Sequence, residues 1–124
     1  MISPKYLELC YKLRSAPIEF SISFGSRVAR GYADVGFEEF AVLQNSKMVS
    51  LSSGRVHDLD LEHVFAVPSL EELLQVIPAH FRVLVESRRV FINGREYDSL
   101  EIGLLRELLT HFGIEAASPR LKAV

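Results

Sequence analysis

The sequence predicts a single α+β domain over residues 1–116, a mainly antiparallel sheet covered by three helices. The sheet is expected to combine a meander with a C-terminal hairpin, and the helices to lie at the N-terminus, the centre and the C-terminus. Three observations predict this. The hydrophobic period switches between 3.6 and 2 along the chain with no strand–helix–strand rhythm. Asn93-Gly94 stands between two alternating runs, a strong hairpin signal, because both central residues of a type I′ turn need positive φ. Helix-capping residues (Ser3, Ser69, and Asp98 or Ser99) precede the apolar stripes of helical spacing.

The first helix starts at Ser3 with Pro4 at the first helical position, where a missing N–H costs nothing. Tyr6, Leu9, Cys10 and Leu13 form its apolar stripe, and Ser15-Ala16-Pro17 stops it. In IEFSISF, residues 18–24, Ile18, Phe20, Ile22 and Phe24 alternate with polar residues, which predicts a half-buried strand. Gly25-Ser26 turns into a short strand around Val28, and residues 27–36 (RVARGYADVG) read as an irregular loop. Phe37–Leu43 and Met48–Leu51 are predicted strands joined by an Asn45-Ser46 turn, and Ser52-Ser53-Gly54 is a second turn.

VHDLDLEHV, residues 56–64, then reads as an amphipathic strand with Leu59 and Leu61 facing inward. Ser69 and Glu72 form a capping box for the second helix, whose stripe is Leu70, Leu73, Leu74 and Ile77 before Pro78. FRVLVES is a strand, followed by the Asn93-Gly94 hairpin. Its register pairs Ile92 with Arg95, Phe91 with Glu96, Val90 with Tyr97 and Arg89 with Asp98. The last helix buries Leu100, Leu104, Leu105, Leu108, Leu109 and Phe112 and ends at Gly113. Residues 117–124 read as a frayed tail.

Composition bounds the function. In 124 residues, hydrophobic types make up 48% and charged types 24%, the proportions of an ordinary globular domain. Mean hydropathy is +0.17, slightly apolar for so small a chain, which suits burial of surface between subunits. The net charge of −2 provides no global attraction for nucleic acid or anionic membranes. One cysteine excludes an internal disulfide and implies a reducing compartment. The N-terminus lacks the basic and unbroken apolar regions of a signal peptide, and no apolar run reaches membrane-spanning length. A cytoplasmic protein is expected.

Metal binding is the first chemistry to weigh, because His57, Asp60 and His63 are ligand types in one short run. On a straight strand the two histidines stand roughly 20 Å apart at about 3.3 Å per residue. On a helix they lie about 9 Å and roughly 600° apart. One zinc ion, with bonds of about 2.0–2.1 Å, reaches both in neither case. No metal and no other cofactor is expected.

Cys10 sits in an apolar stripe and reads as core. Arg88, Arg89 and Arg95 with Phe91 could make a basic, aromatic surface for nucleic acid, but the hairpin register sets acids against those cations, which argues against it. Glu38-Glu39 and Glu71-Glu72 are adjacent pairs whose side chains diverge or favour a helix start. The sequence contains no dinucleotide fingerprint, phosphate loop, nucleophile elbow or zinc-protease motif.

The expectation is a non-catalytic protein-binding domain, with self-association through an apolar face or an edge strand as a further option. One alternative is a small-ligand pocket near residues 27–36 using Arg30, Tyr32 and Asp34 with a histidine. The other is a nucleic-acid accessory protein using the basic hairpin.

Overall fold

The computed structural model describes residues 3–32 and 36–114. It is an α+β domain in which three helices cover two antiparallel sheets. Helix α1 spans Pro4–Leu13, and the Ser3 hydroxyl accepts the Tyr6 N–H as the sequence predicts. Helix α2 spans Leu70–Val76, with both halves of the Ser69–Glu72 capping box in place. Helix α3 spans Leu100–His111, capped by Ser99, and Gly113 follows it at φ +71°.

The larger sheet contains β1 (Arg27–Tyr32), β2 (Gly36–Val42), β3 (Lys47–Ser50), β4 (Val56–Asp58) and β5 (Phe65–Ala66), in the order β4-β3-β2-β1-β5. The smaller contains β6 (Val83–Glu86), β7 (Arg89–Ile92) and β8 (Arg95–Tyr97), in that order. The C-terminal strands therefore make a sheet of their own rather than extending the meander. Their packing partner is α3, whose Leu104, Leu105, Leu108 and Leu109 are fully buried with Ile92 in the main core. Each such leucine contributes about 1.5–3 kcal/mol of burial, so this helix is the principal anchor of the small sheet.

The larger sheet is buried on both sides. Ala29, Phe37 and Phe65 join the main core, where the rings of Tyr11, Phe37 and Phe65 pack mutually with centroids 5.3–5.6 Å apart. Val28, Phe40, Val42 and Met48 form a second, smaller core on the opposite face. Ile22, Leu59 and Val64 cover it from the connecting segments.

Four local expectations are corrected. Residues 18–24 form no strand: Ile18 and Phe20 pack on one core and Ile22 on the other, while Phe24 is exposed. Their alternation reflects a chain laid across packed surfaces, with no neighbouring strand to complete a ladder. The short strand expected around Val28 is present but longer: β1 runs on through Arg30, Gly31 and Tyr32, read as part of a loop, and pairs along its whole length with β2. Gly31 hides this strand from propensity, yet its backbone lies against the Phe37 ring, 3.2 Å from where a Cβ would stand. The predicted strand over 56–64 ends at Asp58, because Asp60 builds a turn by accepting the Glu62 N–H. Leu59 is consequently packed inward but Leu61 is exposed. In α2, Leu74 also faces outward, because the helix closes before Ile77 and buries only Leu73 fully.

The hairpin register agrees for Ile92–Arg95, Phe91–Glu96 and Val90–Tyr97. It stops there, so Arg89 does not pair with Asp98. The predicted tail, residues 117–124, lies outside the described residues. Among the described residues, no helix is long and apolar enough to cross a membrane.

Candidate functional site

Arg30 and Tyr32 project from the same face of β1 and meet Glu38 from β2. The Arg30 guanidinium donates to the Tyr32 hydroxyl from Nε and Nη2 at 2.9 and 2.6 Å. Tyr32 in turn donates to Glu38 Oε1 at 2.6 Å, and the Ser50 hydroxyl donates to Oε2 at 2.6 Å. The bonds from Ser50 and Tyr32 hold the Glu38 carboxyl below its ordinary value. Arg30 also lies over the Phe40 ring, 5.4 Å from its centroid. These groups satisfy one another across a sheet face. Asp34, the third residue expected beside them, lies outside the described residues.

Tyr32 also reaches a cleft of about 590 Å³ between the β1–β2 hairpin and the turn before β5. Tyr11, Arg14, Phe37, Glu62 and His63 line it with Tyr32. His63 Nδ1 lies 2.5 Å from Asp60 Oδ2, and the hydrogen bond from His63 keeps the Asp60 carboxyl below its ordinary value. Asp60, Glu62 and His63 can bring one ligand atom each within 4.8 Å of one another. His57 is not among them: it sits on β4 opposite Met48, its ring edge-on to Phe40. The grouping is therefore an open turn, with the Asp60 and His63 side chains 47% and 67% exposed.

Two of the three arginines expected to make a basic hairpin surface are paired with carboxylates. Arg89 grips Glu96 with two hydrogen bonds of 2.9 Å and covers Phe91, 5.0 Å from its centroid. Arg95 reaches α3 instead, donating to both oxygens of Glu107 at 3.0 Å. Arg88 lies in the β6–β7 turn, with Ser87 and Arg88 both at positive φ.

Glu107 is a feature that composition conceals. Its side chain is 3% exposed, yet it also receives hydrogen bonds from Asn93 Nδ2 (3.2 Å) and from the Tyr97 hydroxyl. Burial disfavours its charge, and the donors from Tyr97, Asn93 and Arg95 prevail, so the carboxyl stays below its ordinary value. Burial and the bond to Glu107 push Tyr97 up to about 12. The signal for this contact lay in spacing: Glu107 stands three residues after Leu104 and seven after Leu100, within the apolar stripe.

Two buried groups do no comparable work. Cys10 is enclosed, and burial pushes its thiol well above the ordinary value, the opposite of an activated nucleophile. Glu39 is buried on β2 with Arg27 Nη1 3.3 Å from Oε2, while its Oε1 has no partner among the described residues.

One strand carries an apolar surface. Val83, Leu84 and Val85 of β6 are 40%, 54% and 59% exposed. Among the described residues β6 pairs with β7 alone, which leaves its other side an open edge. FRVLVES reads as a strand from the sequence, but a strand's place in its sheet depends on distant partners that no local pattern contains.

No protein-family model, curated protein or solved structure matches this chain.

Proposed function

We propose that this chain is a non-catalytic protein-binding domain of the cytoplasm that engages an extended segment of its partner along β6. The carrying observation is the open edge with three consecutive exposed apolar residues, Val83, Leu84 and Val85. An edge strand offers unpaired N–H and C=O groups in register, and neighbouring apolar side chains add area and selectivity. Folded domains ordinarily blunt such edges with charge, proline or a bulge. Here the charges stand only at the ends, as Arg82 and Glu86. The arginines and carboxylates elsewhere are largely committed to one another, which supports a binding role over a catalytic one.

Native capture from lysate tests the reading when wild type is compared with Val83→Lys/Val85→Lys. The expected result is a chain captured by wild type, lost with the edge variant, and crosslinked from position 84. An identical captured set with both proteins would dismiss it.

A second reading, small-ligand binding, draws on the cleft where Arg14, Tyr32 and His63 converge beside an aromatic wall. That chemistry suits a small aromatic carboxylate. Titration with benzoate, followed by NMR, should shift resonances of Arg14 and His63. Unmoved signals at both would remove this reading.

A further inference from the structure

We infer that the occupant of the β6 edge is a second copy of this chain, its own β6 running antiparallel about a two-fold axis through Leu84. The inference rests on the edge-pairing reading above and names its partner.

Backbone parity carries the first part of the argument. The Arg82 carbonyl accepts the Asn93 N–H at 2.8 Å, and the Arg82 N–H donates to the Asn93 side chain at 2.9 Å. Arg82 therefore turns its backbone groups toward β7. Residues in an antiparallel ladder alternate between neighbours, so Leu84 and Glu86 turn the same way, and Val83 and Val85 turn outward. Two edges can bond only where outward residues meet outward residues. An axis through Leu84 sets Val83 of each copy opposite Val85 of the other, closing two bonded pairs. A slip of one residue would set outward Val83 against Glu86, whose backbone is already turned to β7.

Charge carries the second part. The segment Arg82-Val83-Leu84-Val85-Glu86 is basic at one end, acidic at the other and apolar between. In the Leu84-centred register, Arg82 of each copy falls opposite Glu86 of the other. These are non-hydrogen-bonded positions, where facing side chains approach most closely. Neither side chain has an ion pair among the described residues. Leu84 meets Leu84 on that face, and four valines line the other, adjoining Val90 and Ile92 across each strand pair. A parallel arrangement would set like charges side by side. The strand is thus complementary to itself in one orientation and one register.

Light scattering on the full chain should give twice its 14.0 kDa mass, with dissociation on dilution. Arg82→Glu alone and Glu86→Arg alone should each be monomeric, because each sets like charges opposite one another twice. Mixing the two variants should restore a dimer of one copy of each, since every facing pair is then opposite in sign. Leu84→Cys should form an intermolecular disulfide on mild oxidation, with Cys10 buried and silent. These positions are exposed, so circular dichroism should confirm an unchanged fold. A wild-type monomer at about 1 mM would overturn the inference. So would single charge variants that still dimerise, or a mixture that stays monomeric. If wild type is monomeric but the edge variant still loses its captured chain, self-pairing falls while edge binding stands.

Discussion

Gly103 of α3 lies so close to Tyr97 of β8 that a Cβ on the glycine would stand 2.9 Å from two carbons of the ring. The same Cβ would meet Ile92 Cδ1 at 2.6 Å. This contact sets how near the helix lies to the small sheet, and with it how Tyr97 reaches Glu107.

Gly103→Ala is therefore expected to destabilise, although alanine ordinarily favours a helix interior by about 0.8–1.0 kcal/mol. Overpacking costs about 1–3 kcal/mol, so the net effect in urea denaturation should be a loss. Ile92→Val removes the flexible Cδ1 and should recover part of that loss in the double variant. Full additivity of the two changes would show that the clash does not govern the effect.

Glu107→Ala should be more severe, because it leaves the Asn93, Arg95 and Tyr97 donors without their common acceptor. Breaking a buried ion pair costs about 3–5 kcal/mol, with no more than the lower end expected because the Arg95 side chain is 62% exposed. Thermal melting of this variant against Glu107→Gln measures how much of the loss is charge.

The depressed Glu107 carboxyl also fixes a pH dependence. A group whose folded pKa lies below its unfolded value stabilises the fold above the unfolded value, about 4.3 for glutamate, and that contribution disappears as pH falls through the folded value. Stability should decline on acidification below about pH 5, and Glu107→Gln should flatten that slope. An unchanged slope in the variant would assign the acid sensitivity elsewhere, with Glu38 the next carboxyl to test.

Asn93 combines three tasks: positive φ in the turn, acceptance of the Arg82 N–H and donation to Glu107. Asn93→Gly keeps the turn and loses both side-chain bonds, whereas Asn93→Ala loses the turn preference as well. Each hydrogen bond contributes about 0.5–1.5 kcal/mol, so alanine should be the more damaging of the two in chemical denaturation. Amide exchange at Leu84 and Glu86, whose backbone groups turn toward β7, reports whether β6 stays docked on it.

For Glu39 the expected direction is reversed. Its Oε1 has no partner among the described residues, so Glu39→Leu should be neutral or stabilising, by up to about 1–4 kcal/mol. Arg27→Ala should destabilise, because it leaves the buried carboxylate without its cation. Both follow from melting temperatures, and a loss of stability in Glu39→Leu would contradict this account.

Features encoded within a few residues were the legible part. Ser3, Ser69-Glu72 and Asn93-Gly94 each determine a cap or turn through their own backbone and side-chain chemistry, and all three appear where expected. The 18–24 segment misled because alternation records which side chains are packed and not whether a strand lies alongside. Asp60 misled because one side-chain bond to the Glu62 N–H turned a continuous strand into a corner. Within the candidate surfaces, Arg30 and Tyr32 were recognised, but their partners Glu38 and Ser50 come from other strands. The β6 edge was invisible for a related reason: Val83–Val85 would read alike in the centre of a sheet.

Strand order in the small sheet also governs where assembly would end. A chain with two adhesive edges adds copies without limit and becomes a filament. Here the far edge is β8, three residues long, with Arg95 and Tyr97 held by Glu107 and Glu96 held by Arg89. In the larger sheet the outer strands β4 and β5 have only three and two residues. Joining two copies through β6 would consume the four-residue apolar edge of each and leave, among the described residues, only borders of two or three residues, so growth would terminate at a closed pair.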